Sequence, residues 1–241
     1  IMNSSIHSLN SDKKINKFQR ILWLILNYIN NNFMPNLNSS TLNIKQFNPK
    51  IDDNDWENIE SKSSPSRAFS DLFWLKLNWN QLNKELKDIN ILETGCGSGN
   101  YFRKFNCFSN NNIHKYRGLD VNKNKNWSEV EQEFHNLDFK VADSQKLIEH
   151  IPEETNLFIS QSAIEHFDND LMYFFQIKDF IKQTKNNTIQ IHIFPSSACL
   201  KKYLWHGVRQ YTPRTISKIV DIFNDRNSYS VLYKLGGGNS N

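Results

Sequence analysis

The segment Ile91-Leu92-Glu93-Thr94-Gly95-Cys96-Gly97-Ser98-Gly99-Asn100 combines glycines and an acid at a spacing that could do chemistry. It follows a short apolar run, Ile89 to Glu93, and leads into a stretch able to form a helix, Tyr101 to Cys107. Glycines at such a junction let the backbone turn sharply and let a ligand approach main-chain N–H groups. A dinucleotide fingerprint needs G-x-G-x-x-G; here the third glycine arrives one residue early, at Gly99, and Asn100 fills the usual place. Glu93 stands two residues before the first glycine. A carboxylate there suits a cation better than a pyrophosphate.

Two further acids close the next apolar runs: Asp120 in Arg117-Gly118-Leu119-Asp120-Val121, and Asp143 in Val141-Ala142-Asp143-Ser144. A sulfonium and an amino group, as in S-adenosylmethionine, fit a site that begins with Glu93. Asp120 can accept from both ribose hydroxyls, and Asp143 from an adenine amino group. The elements that must hold these residues follow from periodicity. Strands are predicted at Ile89 to Glu93, Tyr116 to Val121, Phe139 to Ala142, Leu157 to Ser160 and Thr188 to Phe194. Helices are predicted between them, at Tyr101 to Cys107, Trp127 to His135, Gln145 to His150 and Asn169 to Thr184, the last with Asp168 as its N-cap. Ser63-Ser64-Pro65-Ser66 signals a helix start, followed by helical stretches through Leu77 and from Gln81 to Lys87. A helix at Pro213 to Phe223 and a strand at Ser230 to Leu235 complete the pattern. The fold class is α/β: alternation of this kind gives a Rossmann-like, doubly wound, mostly parallel sheet with helices on both faces.

This constellation resembles the class I S-adenosylmethionine-dependent methyltransferases, over roughly Ile89 to Leu235. The resemblance implies S-adenosyl-L-methionine as cofactor. It implies that Glu93, Gly95, Gly97 and Gly99 line the methionine part, Asp120 the ribose, and Asp143 with Ser144 the adenine; Gln161, at the end of the fourth strand, joins this set. That family's sheet usually finishes with an antiparallel hairpin. Only one of its strands, Ser230 to Leu235, is visible here, so a truncated sheet edge is expected.

A methyl donor brings its own activation, so the protein's task is alignment of an acceptor. A hydroxyl acceptor also needs a base. The Glu165-His166 pair after the fourth strand resembles the Glu-His motif of many small-molecule methyltransferases. His166 is the first choice for the base, with Glu165 as orienter or a further cofactor contact. His192, near the end of the fifth strand, is expected to flank the same pocket. Ser162 stands where metal-dependent relatives carry another Glu, and no metal is assigned. Tyr203-Leu204-Trp205-His206-Gly207-Val208-Arg209-Gln210-Tyr211-Thr212 gathers aromatic, imidazole, guanidinium and amide groups, which suits a polyhydroxylated ring; Trp205, His206, Arg209 and Tyr211 are the candidate acceptor contacts. The run from Ser160 to Tyr211 is similar to methyltransferases of bacterial surface-polysaccharide gene clusters, which implies a sugar or glycan precursor as the small-molecule acceptor. The rival readings are an N-methyltransferase, a non-catalytic cofactor-binding scaffold and a nicotinamide oxidoreductase.

Composition bounds these readings. The 241 residues suit one domain with an appendage, or two small domains. A net charge of +4 without a dense Lys/Arg stripe gives no support for a nucleic-acid partner. Three cysteines without a CxxC pair argue against a disulfide scaffold and point to a cytoplasmic setting. No run approaches the ~20 apolar residues that cross a bilayer. The domain boundary is expected near residue 62. Residues 1–62 would form a helical and irregular N-terminal extension, with one helix from about Asp12 to Ile29 and an extended connection from Asn31 to Ser64; residues 63–241 would form the methyltransferase domain. The opening Ile1-Met2 and the polar tail are those expected of a fragment.

Overall fold

The computed structural model describes residues 16–19, 21–22, 25–26, 29, 42–59, 63–196, 209–224 and 228–236. The chain divides into two compact units. The sheet unit comprises Trp74–Ile164 and Gln176–Ile193; the second unit comprises Ile1–Phe73, Glu165–Phe175 and Phe194–Asn241. In chain order the elements are β1 (Leu42–Gln46), α1 (Asp53–Glu57), α2 (Pro65–Lys76), α3 (Trp79–Leu86), β2 (Ile89–Thr94), α4 (Tyr101–Phe108), β3 (Ile113–Asp120), α5 (Trp127–Glu133) and β4 (Leu137–Val141). A 3₁₀ stretch (Ser144–His150), β5 (Leu157–Gln161), a 3₁₀ turn (Ile164–His166), α6 (Asp170–Gln183), β6 (Ile189–Ile193), α7 (Pro213–Ile222) and β7 (Ser230–Lys234) follow.

The sheet unit contains five parallel strands in the order β4-β3-β2-β5-β6. The order reverses at β2: the chain builds outward through β3 and β4, then restarts on the other side with β5 and β6. This is the doubly wound arrangement expected from the alternation of strands and helices. All six residues of β2 are buried, as a central strand covered on both faces requires. Trp74, Phe102 and Phe105 are fully buried. Trp74 meets Phe105 edge-on at 4.9 Å, and Phe102 meets Tyr116 at 4.8 Å. Each such side chain contributes about 1.5–3 kcal/mol by leaving water. The helix start at Pro65 is as expected: Ser64 Oγ accepts from the Arg67 N–H at 3.4 Å. The cap of α6 differs. Asn169 Oδ1, not Asp168, accepts from the Met172 N–H at 3.0 Å, because the helix begins one residue later, at Asp170.

In the second unit β1 and β7 form their own parallel pair, with Leu42 opposite Ser230 and Gln46 opposite Lys234. This corrects two expectations. The connection from Asn31 to Ser64 is not wholly irregular, since Leu42–Gln46 is a strand and Asp53–Glu57 a short helix. The strand at Ser230 does not belong to a closing antiparallel hairpin of the main sheet; its hydrogen-bonding edge is taken by β1. Phe73 packs against Phe47 at 5.7 Å and Tyr233 at 6.1 Å beside this pair. The described residues between Lys17 and Ile29 are helical, in agreement with the periodicity; Asp12 lies outside the described residues.

Candidate functional site

Within the sheet unit, the carboxyl end of β2 lies between those of β3 and β5, where the strand order reverses. Ligands of open α/β sheets bind outside the carboxyl ends of the strands at such a reversal. The glycine loop leaves β2 there. Gly95, Gly97 and Gly99 all have positive φ, at 78°, 54° and 77°. A Cβ on Gly95 would sit 2.3 Å from the Ala163 Cβ, and one on Gly99 would sit 2.4 Å from Phe139 Cζ. Gly97 differs, because a Cβ there would meet nothing within 4 Å, so this part of the loop faces open space.

The loop is held from below. The N–H groups of Gly95 and Cys96 donate to the Leu119 carbonyl at 2.7 and 3.0 Å, and the Gly99 N–H donates to the Cys96 carbonyl at 2.9 Å. The Gly97 N–H donates to Asp120 Oδ2 at 2.9 Å. Expectation and structure part here: these four donors are bonded within the loop and to β3, so the loop offers carboxylates and shape more than free N–H groups.

Glu93 is 2% exposed. The Tyr116 hydroxyl donates to its Oε2 at 2.5 Å. Burial pushes the Glu93 carboxyl up to about 7, against the Tyr116 hydrogen bond, which favours the charged form; the Asp120 charge adds to the rise. Burial and the charges of Glu93 and Asp120 push the Cys96 thiol up as well, so it is a neutral packing group. Asp120 caps the loop: its Oδ1 also accepts from the Asn122 N–H at 3.1 Å. Asp143 is exposed, and its Oδ1 accepts from the Gln145 N–H at 2.9 Å, starting the 3₁₀ stretch. Ser144 is buried, and its carbonyl accepts from Gln176 Nε2 at 2.9 Å. The Ala142 N–H donates to the Asp120 carbonyl at 2.9 Å, tying the ends of β3 and β4 together. The sheet unit thus brings Glu93, the three glycines, Asp120, Asp143 and Ser144 to the carboxyl ends of three adjacent strands.

Gln161 ends β5, and its Oε1 accepts from Trp74 Nε1 at 2.6 Å. His192 is paired with Ser160 in the β5–β6 register, and its Nδ1 lies 2.8 Å from Ser160 Oγ. Burial pushes its imidazole down to about 3, so it stays neutral and is a weak proton acceptor at pH 7. This environment suits positioning better than base catalysis.

Three residues escaped the sequence reading. Tyr116 holds Glu93. Trp127 stacks on Phe139 at 5.3 Å and donates from Nε1 to the Gly97 carbonyl at 2.9 Å. Phe139 closes over Gly99 and Gly118. Gly99 and Gly118, which leave room for the Phe139 ring, were a signal for Phe139 alone.

The second unit holds the remaining candidates. His166 ends the 3₁₀ turn and is exposed, whereas Glu165 is 3% exposed. Arg209 is fully buried. It donates to the carbonyls of Phe167, Asp168 (2.9 Å) and Glu165 (3.5 Å). The Tyr211 hydroxyl donates to Asp170 Oδ2 at 2.7 Å, and its ring packs on Phe194 at 4.5 Å. Arg209 and Tyr211 therefore brace the chain around His166. Trp205 and His206 lie outside the described residues.

Two clefts of the sheet unit lie away from the glycine loop or beside it. One, of about 270 Å³, opens at the amino ends of β2 and β3, where the Arg117–Asp138 and Lys115–Glu154 pairs neutralise its charges. The other, of about 350 Å³, lies between Lys123, Lys125, Trp127 and Val141. Among the described residues no group of three or more His, Cys, Asp or Glu side chains could hold a metal ion, and no helix is long and apolar enough to cross a membrane.

No family profile and no curated protein matches the chain. Solved structures resemble it. The plantazolicin methyltransferase BamL, in complex with a triazolic desmethylPZN analog and SAH, matches at a TM-score of 0.45 and 15% identity, over 73% of this chain and 61% of its own. An S-adenosylmethionine-dependent methyltransferase from Mesorhizobium loti matches at 0.44 and 14% identity, over 60% of this chain and 78% of its own. The 1,6-didemethyltoxoflavin-N1-methyltransferase of Burkholderia thailandensis matches at 0.34 and 14% identity, over 44% of this chain and 47% of its own. The chain thus spans about half the length of the Burkholderia enzyme.

Proposed function

We propose that this protein is an S-adenosylmethionine-dependent methyltransferase acting on a hydroxyl of a small molecule, a sugar or polysaccharide precursor. One observation carries the reading. Two carboxylates, Glu93 and Asp120, end adjacent strands at the reversal of strand order, with an open glycine, Gly97, beside the second. A buried carboxyl that ionises near neutrality is suited to a cationic partner, which would favour its charged form. The donor set therefore fits S-adenosylmethionine, with Glu93 and the glycine loop toward its methionine part, Asp120 toward the ribose, and Asp143 with Ser144 toward the adenine. When bound, that group supplies a methyl on a positively charged sulfur, already activated for transfer.

The chain's own residues then orient and deprotonate. His166, exposed at the end of its 3₁₀ turn, takes the acceptor hydroxyl proton. Arg209 and Tyr211 keep that turn in place through the backbone carbonyls of Glu165, Phe167 and Asp168 and through Asp170. The sugar class rests on the likeness of the Ser160 to Tyr211 run to polysaccharide-cluster enzymes.

Thermal denaturation tests the cofactor. S-adenosylhomocysteine at about a hundredfold its Kd is expected to add about 2.7 kcal/mol, a rise of roughly 5–10 °C in Tm for a chain of this size, and NAD is expected to add nothing. A shift with NAD alone overturns the reading in favour of an oxidoreductase. The acceptor is tested by labelled methyl transfer to a panel of sugar nucleotides. His166→Ala is expected to lower that rate about a hundredfold or more. A small loss instead identifies an amine acceptor, and no labelling of any acceptor identifies a scaffold.

A further inference from the structure

We infer that the N-terminal helix lies in the plane of an anionic lipid bilayer surface and holds this protein there. Phe18, Ile21, Leu22, Ile25, Leu26 and Ile29 recur in steps of three and four residues, which places them on one stripe of a helix. All six are exposed, from 39% at Ile29 to 75% at Phe18. In the same unit, α7 buries Ile216, Ile219, Val220 and Ile222 to below 10% exposure. Among the described residues, one amphipathic helix is covered and the other is not. A contiguous exposed apolar stripe marks a binding surface.

Charge selects the occupant. The sequence from Asp12 to Ile29 carries Lys13, Lys14, Lys17 and Arg20 against a single acid, Asp12. A second copy of the chain would bring these cations together. An anionic lipid surface attracts them, while the apolar stripe enters the boundary between headgroups and acyl chains. At helical rise, Phe18 to Ile29 extends about 16 Å, against ~30 Å for the hydrocarbon core, so the helix can lie on a bilayer but cannot span it. The inference is independent of the methyl-transfer reading.

The experiment is co-sedimentation of the full chain with vesicles of phosphatidylcholine alone and of phosphatidylcholine with phosphatidylglycerol. The chain is expected to pellet with the anionic vesicles, and added salt is expected to weaken the binding. The double substitution Ile21→Glu, Ile25→Glu is expected to cut the bound fraction about tenfold or more, and Lys17→Glu to lower affinity by about tenfold. The melting temperature of the double variant should match that of the parent, since Ile21 and Ile25 are exposed. Three results would each overturn the inference: no pelleting with anionic vesicles, pelleting unchanged by the double variant, or a fall of several degrees in its Tm. A change of oligomeric state in the variant without vesicle binding would assign the stripe to a second copy instead.

Discussion

Glu93→Gln is expected to make the ligand-free protein more stable at pH 8 while lowering its affinity for the donor. The sign follows from the shifted titration. Glu93 ionises near 4.5 in an unfolded chain and near 7 when folded. Between those values the folded state holds a proton that the unfolded state has lost, so stability falls as pH rises through this window. The contribution is whole below 4.5 and gone above 7. At about 1.4 kcal/mol for each unit, the loss approaches roughly 3 kcal/mol at pH 8. A glutamine keeps an acceptor for the Tyr116 hydroxyl and carries no charge to desolvate, so the variant escapes the loss. Urea denaturation of both proteins at pH 4 and pH 8 reads it directly: no difference at the lower pH, and a more stable variant at the higher. The paired comparison cancels the titrating groups remote from Glu93. A variant less stable than its parent at pH 8 would show that burial does not govern Glu93.

The same carboxylate sets the pH dependence of binding. A cationic ligand favours ionised Glu93, so affinity is expected to fall about tenfold for each unit below pH 7 in the parent, and to stay flat in the variant. Calorimetry with S-adenosylmethionine between pH 5 and 8 measures both. Stability and binding thus oppose each other at one side chain: the charge that weakens the empty protein is the charge that a sulfonium would need.

Much of the sheet was legible because a central parallel strand is written in consecutive apolar residues. Ile89, Ile91 and Leu92 announce β2, and Leu157, Phe158 and Ile159 announce β5. β1 was not legible. Leu42-Asn43-Ile44-Lys45-Gln46 has two apolar residues and is mostly exposed, and its partner lies at Ser230–Lys234, at the other end of the sequence. No local pattern encodes a parallel pairing across that separation. The acids of the candidate site were legible because their positions depend only on where strands end. The direction of Arg209 and Tyr211 was not. A guanidinium and a phenol in a loop serve an external ring or an internal carbonyl equally well, and only the packing shows them turned onto Glu165–Asp170. Asp168 and Asn169 are neighbouring side chains with equal claim to a helix cap, and the start of α6 decides between them.

That inward turn gives the second large effect. Arg209→Met fills most of the same volume but donates nothing, so the carbonyls of Glu165, Phe167 and Asp168 lose a buried donor at once. Each buried acceptor stripped in this way costs about 1–3 kcal/mol. For a chain of this size the expected fall in Tm is roughly 10 °C. Tyr211→Phe removes a single donor from Asp170 and keeps the ring against Phe194, so it is expected to cost about 1–2 kcal/mol. Function separates bracing from mere stability. Measured well below either melting transition, Arg209→Met is expected to lose methyl transfer in kcat, because the turn that ends in His166 is no longer fixed, while affinity for S-adenosylhomocysteine stays near the parent value, since Glu93 and Asp120 are untouched. Equal loss of cofactor affinity and turnover would place Arg209 in general stability alone, and a Tm within a degree of the parent would show that these carbonyls find other donors.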